Sequence, residues 1–346
     1  MGVWYTTRES VKSALDSAET ARNDAQVDRA VGAASRAIEG LLHRRFYPQV
    51  ATRYFAWPNW QHARPWRLWL DADEVVSVTT LVAGGVTVPA SDYFLEPVNS
   101  GPPFTHVEID LDSSSAFQSG GTHQRAIAIT GVFGHSADEE PAGALAEALD
   151  ASETGVDVTD SSLVGVGTIV KVEAERMLVT ARSMLDTLQN SSALTSSSAD
   201  VAVTGIAAGT INAGEVILVD SERMLVTAVA GTTLTVKRAW DGTALAAHSA
   251  GADIYAPRTL TVQRGALGTT AATHADTTAV VKHVVPELVR DLCVAEAINQ
   301  LQQETSGYAR VIGEGENARE GTGRSLYDLR RDTMAAYGRQ ARARAV

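Results

Sequence analysis

Seven residues occur twice, letter for letter. Glu175-Arg176-Met177-Leu178-Val179-Thr180-Ala181 returns as Glu222-Arg223-Met224-Leu225-Val226-Thr227-Ala228, an offset of 47 (175 to 222). A second echo joins Thr233-Leu234-Thr235-Val236, Arg238, Ala246 and His248 to Thr259-Leu260-Thr261-Val262, Arg264, Ala272 and His274, at an offset of 26 (233 to 259). A tandem repeat keeps one offset throughout. Two offsets call for a nested duplication: one unit, 202–255, set inside another whose halves are 157–182 and 256–281, with the serine-rich Ser183–Asp200 as the crossing linker. Each unit alternates apolar and polar residues between short turns, so the spacing predicts small β-barrels or sandwiches.

The flanks read differently. Val27, Val31, Ala34, Ile38, Leu41 and Leu42 recur at helical steps within Asn23–Pro48, with Asn23 placed to cap that helix and Pro48 to stop it. A second helix follows Pro286 to Gln303, its stripe being Leu288, Leu292, Ala295, Ile298 and Leu301. The two stripes predict that the ends of the chain pack on each other. Thr6-Thr7-Arg8-Glu9 is a capping box opening a short helix to Ser17, Pro141–Leu149 reads as another short helix, and Ser325–Arg342 as a last one. Between Pro48 and Val132 the period changes to two. Short strands are expected at Arg53–Trp57, Trp66–Leu70, Glu74–Val82, Val86–Pro89, Tyr93–Leu95, His106–Leu111 and Arg125–Val132. The domain reading is therefore 1–154 with 283–346 as one body, and 155–282 as an inserted one.

No run approaches the length of a membrane-spanning helix. Cys293 is the only cysteine and sits mid-helix as a small hydrophobe. Net charge is −12, which disfavours a grip on phosphates by the whole surface. The charge is uneven: eight acidic residues and no lysine or arginine lie between Arg125 and Lys171, while seven arginines follow from Arg319. Such asymmetry points to an assembly surface. Motifs of metalloproteases, α/β-hydrolases and P-loop enzymes are missing. Gly313-Glu314-Gly315-Glu316-Asn317-Ala318 spells a dinucleotide fingerprint, but it follows a helix and carries acids where a pyrophosphate would lie. Asp110 and Asp112 begin a calcium-loop pattern that nothing completes. His248 and His274 hold matched places in the two units, which suits a repeated packing role better than catalysis. The expectation is a protein that is not an enzyme and has no catalytic residue, cofactor or metal. Trp57, Trp60, Trp66 and Trp69 cluster in the strand region, as core, as subunit interface or as a sugar-stacking face.

As an ordered set, three stretches resemble the head-to-tail adaptor (connector) proteins of long-tailed bacteriophages. They are Ala37-Ile38-Glu39-Gly40-Leu41-Leu42-His43-Arg44-Arg45-Phe46-Tyr47-Pro48, then Ala128-Ile129-Thr130-Gly131-Val132-Phe133-Gly134, then Val285-Pro286. The resemblance covers 1–150 and 283–346; the inserted region is the departure. It implies an α+β fold: a helical adaptor core with a small β-sheet region, to which this chain adds an inserted all-β domain of two similar modules. It further implies a virion protein made in the host cytoplasm, forming a homo-oligomeric ring of typically twelve subunits at the head–tail junction. Such a ring binds the portal protein above and a further neck connector or tail-completion protein below. Double-stranded DNA passes through without tight binding, and no membrane is involved. Members commonly reach the portal with a C-terminal extension. Here that would be the glycine-hinged segment carrying Arg324, Arg330, Arg331, Arg339, Arg342 and Arg344, whose guanidinium forks suit carboxylates on a neighbour. The alternative is a carbohydrate- or receptor-binding virion module using the β repeats and the tryptophans. A wall hydrolase is a third class, for which the acidic stretch 138–160 supplies carboxylates without fixed geometry.

Overall fold

The structure, a computed structural model, describes residues 2–15, 24–58, 64–305 and 325–339. It divides into two compact units. One comprises Met1–Ile38, Glu139–Ala266 and Thr270–Ala336, the other Glu39–Asp138, Leu267–Thr269 and Tyr337–Val346. These boundaries differ from those drawn on the sequence: the β modules share a unit with the terminal helices, and 39–138 stands as a body of its own.

In the larger unit, helix α1 (Arg8–Ala14) starts one residue later than the capping box suggests. Thr7 is the N-cap and its side chain accepts from the Ser10 amide. Glu9 is thereby freed to accept from the Val166 amide at 2.8 Å. Helix α2 (Asp24–Leu42) buries Val27, Ala30, Val31, Ala34 and Ile38, as its stripe requires. The Asn23 cap lies outside the described residues. Helix α3 (Glu287–Thr305) runs beside α2: Ser35 Oγ lies 3.5 Å from Cys293 Sγ, and Arg29 pairs with Glu304 at 2.8 Å. Its buried stripe is Val289, Leu292, Cys293, Ala297 and Leu301. Leu288, Ala295 and Ile298, expected inside, are only half-buried, because this helix is apolar on more than one side and periodicity alone does not choose between faces. Burial pushes the Cys293 thiol up to about 11, where it is inert.

The smaller unit contains β1 (Gln49–Phe55), β2 (Arg67–Trp69), β3 (Val75–Ala83), β4 (Val86–Val88), β5 (Tyr93–Glu96), β6 (His106–Ile109) and β7 (Ile127–Phe133). All seven expected strands are present. They form an antiparallel sheet β1-β7-β3-β4 and a smaller one, β2-β6-β5. Leu68, Leu70, Val75, Leu81, Val107, Ile127 and Ile129 make a shared core, with Trp57 buried in it against Phe117. The four tryptophans do not form one face. Trp57 is core, Trp66 packs on that core, Trp69 stacks on His106 at 4.0 Å on the open side of the smaller sheet, and Trp60 lies outside the described residues.

The expected fold class requires correction. With 36% strand against 21% helix, and four α-helices among the described residues, the fold is mostly β with large antiparallel sheets, not a helical adaptor core bearing a small sheet. Part of the difference is Pro141–Leu149. Instead of a helix, Glu139–Ala144 is strand β8, paired with β17 (Ala279–His283). Alanine content and an N-terminal proline favour a helix only weakly, and the unpaired edge of a sheet outweighs them.

The inserted region is one sheet of ten strands, in the order β12-β15-β14-β13-β16-β11-β10-β17-β8 with β9 attached to β16. Its members are β9 (Gly155–Asp157), β10 (Ile169–Val172), β11 (Glu175–Gln189), β12 (Ala202–Thr204), β13 (Val216–Val219), β14 (Glu222–Ala230), β15 (Thr233–Lys237) and β16 (Asp253–Gln263). The nesting is visible in the register. Val179 faces Val262 and Ala181 faces Thr261 in the outer module, while Val226 faces Val236 and Ala228 faces Thr235 in the inner one. The skipped residue of each bulge, Thr180 or Thr227, turns its hydroxyl to a carbonyl across the pair at 3.0 Å, that of Thr261 or Thr235. Each module has its own core: Val170, Val172, Met177, Val179, Leu260 and Val262 in one, Ile217, Val219, Met224, Val226, Leu234 and Val236 in the other.

Ser183–Asp200 is not a plain linker. Its first residues extend β11 along β16, with Leu185 facing Ala256 and Gln189 facing Asp253. Farther on, Leu194 bridges His248 just as Leu149 bridges His274. The two modules are thus longer than the letter matches, and a continuous two-strand ribbon ties them together.

Gly167 and Gly214 open equivalent turns with φ of +98° and +92°. A Cβ at Gly167 would also collide with the Trp4 ring, whereas one at Gly214 would meet Ser162 Cβ at 3.2 Å. Gly167→Ala is therefore expected to cost about 2–4 kcal/mol and Gly214→Ala roughly half that. Denaturation midpoints that rank the two in reverse would contradict this packing of Trp4.

Candidate functional site

The most concentrated polar chemistry lies where the two echoes meet. Glu175, the first letter of one heptapeptide, faces Arg264, the arginine that follows the Thr-Leu-Thr-Val strand. Arg264 Nε donates to Oε1 at 2.7 Å and Nη2 to Oε2 at 2.8 Å. The amides of Gly265 and Ala272 donate to the same carboxylate, each at 3.0 Å. His274 Nε2 lies 3.0 Å from Oε2, and its Nδ1 lies 2.8 Å from Glu173. The inner module repeats the arrangement atom for atom. Arg238 meets Glu222 at 2.8 Å through both nitrogens, the amides of Ala239 and Ala246 donate to it, and His248 spans Glu222 and Asp220.

Both carboxylates are fully buried, with Arg264 7% and Arg238 1% exposed. Burial by itself would raise a carboxyl. The arginine fork, then the histidine and two amides, outweigh it and hold Glu175 and Glu222 at about 2. The remaining guanidinium nitrogens clamp the chain: Arg264 Nη1 donates to the Asp150 and Glu153 carbonyls, and Arg238 Nη1 to those of Thr195 and Asp200. Every oxygen of each glutamate is engaged, so the cluster fastens the turn after one strand to the segment that opens its module. A third buried carboxylate, Glu215, joins the modules to each other. It accepts from Arg258 at 2.9 and 2.7 Å and from Ser161, and its pKa is lowered by that arginine against the burial that would raise it.

No protein-family model matches this chain, and comparison with curated proteins and with solved structures finds no match either. The reading of the site therefore rests on its residues.

A cleft of about 870 Å³ in the larger unit is bounded by α1 and by turns of both modules. Its charges are largely matched. Lys12 lies between Asp24 at 2.6 Å and Asp241 at 2.8 Å, Arg8 is held by Asp28, Arg182 by Glu9, and Arg223 by Asp241. Lys12 is thus a strut from the N-terminal helix to the inner module.

The arginines expected to dock a partner are dispersed. Arg330 and Arg331 lie on helix α4 (Leu326–Tyr337), and Arg339 follows it; Arg324, Arg342 and Arg344 lie outside the described residues. Arg330 forms a two-pronged pair with Glu296, and Arg339 pairs with Glu74 at 3.3 Å. The outward stripe of α4 is instead Tyr327, Arg331 and Met334, with Tyr327 72% and Met334 52% exposed. Asp110 caps its own turn, its carboxylate accepting from the Asp112 amide at 2.9 Å. Among the described residues no group of three or more histidine, cysteine or carboxylate side chains is arranged to hold a metal ion.

The Glu–Arg pairing of the clusters went unread in the sequence, although each echo carries one half of it at a fixed place. Two charges repeated at matched positions of two strands that must share a sheet are the signal.

Proposed function

We propose that the chain is a structural, non-enzymatic subunit of a connector ring between portal and tail in a bacteriophage virion, surrounding a channel for double-stranded DNA. The observation that carries the structural part is the twinning of the Glu–Arg–His clusters. The most enzyme-like group in the molecule is duplicated, buried and saturated, and it acts as a fastener in both places. The ring and the portal come from the resemblance of 37–48, 128–134 and 285–286 to phage adaptors. The acidic balance of −12 suits a channel that lets DNA slide, since phosphate neutralisation would hold it.

The portal contact is assigned to α4 and the arginines around it, with Tyr327, Arg331 and Met334 as the presented stripe. Apolar anchors beside an arginine are typical of interface hot spots. Mixing the protein with portal should give a stoichiometric ring complex, visible by particle imaging and native mass measurement. Tyr327→Asp with Met334→Asp, both at exposed positions, should weaken that complex by about 30-fold or more without lowering the melting temperature. Undiminished binding would remove α4 from the contact, and a monomer in every mixture would remove the ring.

A carbohydrate-binding reading has one observation in its favour. Trp69, its Arg67 partner and Phe94, which is 52% exposed, share the open face of the smaller sheet. A saturable shift of tryptophan emission with oligosaccharide, lost in Trp69→Ala, would favour it over the ring.

A further inference from the structure

Buried polar side-chain atoms are nearly always hydrogen-bonded, and a group of exceptions in one place calls for a partner. Seven such atoms are unpaired among the described residues, and five of them belong to Arg44, Arg53, His135, Ser136 and Arg339. All five residues lie in the smaller unit, where Arg53 and Arg339 border a pocket of about 30 Å³ together with Arg45, Gln49, Asp73, Glu74 and Gly134, and Arg44, His135 and Ser136 lie next to lining residues in the chain. The arginine atoms concerned are the three Nε groups, which can only donate.

The charges here do not balance. Glu74, 5% exposed, is shared: its Oε1 takes Arg44 at 3.1 Å and Arg339 at 3.3 Å. Arg53 Nε has a loose ion pair with Asp73 Oδ1 at 3.5 Å without a hydrogen bond, and its Nη2 donates to Gln49. The pocket lining thus carries three arginines, Arg45, Arg53 and Arg339, against two carboxylates, Asp73 and Glu74, with Arg44 sharing Glu74 and Asp138 acting on His135, in a chain whose total charge is −12. The scaffold is rigid on each side. Phe46 packs on His135 and Tyr337 with ring centres 5.1 and 5.9 Å apart, and the Arg339 amide donates to the Leu42 carbonyl at 3.1 Å. Burial and the charge of Arg44 keep His135 down at about 4, so it adds no cation near neutrality.

We propose that this pocket is a binding site for a small oxyanion, held by Arg53 and Arg339 with Arg45 beside them. An oxyanion supplies what the site lacks, several acceptor lone pairs and negative charge in one compact group, and guanidinium forks match it. The volume takes two or three water-sized groups at about 10–15 Å³ each, which fits both oxygens of a carboxylate or the inward-facing oxygens of a phosphate or sulfate whose remaining oxygens stay at the mouth. Occupancy would fasten Arg339, and the chain that follows α4, to the end of α2. This inference uses only these residues and stands whether or not the ring is found.

Thermal unfolding of the full chain in sodium phosphate, sodium sulfate or sodium acetate, against sodium chloride at equal ionic strength, tests it. Phosphate or sulfate should raise the midpoint saturably by about 2 °C at ten times the dissociation constant. A matching rise in acetate would identify a carboxylate as an equally good occupant. Arg53→Gln with Arg339→Gln should abolish the rise. Because that variant changes stability by itself, the ³¹P line of inorganic phosphate is followed as well. It should broaden with the wild-type chain and stay sharp with Arg53→Gln alone, a half-exposed position that leaves the fold intact. Equal responses in wild type and variants, no response to any of the anions, or a crystal soaked in phosphate that shows water alone at Arg53 and Arg339 Nε would each overturn the proposal.

Discussion

Glu175→Ala is expected to destabilise the protein by on the order of 3–5 kcal/mol, the range for breaking a buried ion pair by removing one partner. The loss is large because of what stays behind. Arg264 keeps its charge in a site where it is 7% exposed, and the amides of Gly265 and Ala272 lose their acceptor together with His274. Glu222→Ala should do the same in the inner module, where Arg238 is 1% exposed. Replacing both partners at once, Glu175→Met with Arg264→Leu, should recover much of the loss, since an apolar pair leaves no stranded charge. Urea denaturation of the single and paired variants measures this. Single losses below about 1 kcal/mol would mean that the clusters are wet and dispensable.

Acid should undo the same fasteners. Glu175 and Glu222 titrate near 2 in the folded chain, against a usual 4.5. A depressed carboxyl contributes stability that is whole above its unfolded pKa and disappears as pH falls through the folded one. The denaturation midpoint should therefore decline steadily below about pH 4.5, and both modules should be weakened by pH 2. Glu215, lowered in the same direction, adds to the slope. Glu175→Gln with Glu222→Gln should start lower and fall less over that range. A wild-type midpoint that stays level down to pH 2 would contradict the assignment.

The nested duplication was legible because strand pairing follows the letters: offsets of 47 and 26 are the offsets of the observed registers. Its limits were not. Leu149 and Leu194 play one role with different neighbours, so identity gave no sign of where each module opens. The helix expected at Pro141–Leu149 failed because local preference is weak beside an open sheet edge. The cluster of Arg44 and Arg339 around Glu74, with Arg53 on Asp73 beside it, was invisible for another reason. Its members are far apart in sequence and share no period, so topology alone unites them. The half-right stripe of α3 shows the same limit on a smaller scale, since a helix that is apolar on two sides needs its neighbours before its face is defined.

The ribbon of β11 and β16 also fixes an order of events during synthesis. Most of the inner module, from Leu194 to its bridge with His248, leaves the ribosome before β16 begins at Asp253, and Ile254 and Ala256 of β16 then complete its core. The first half of the outer module, finished by Gln189, has only the hairpin of β10 and β11 until then. The inner module therefore starts to close first, and its paired ends, Asn190 to Ala252 at 2.9 Å, bring the two halves of the outer module face to face. What looks like an interruption of one module is the clasp that delivers its missing strand.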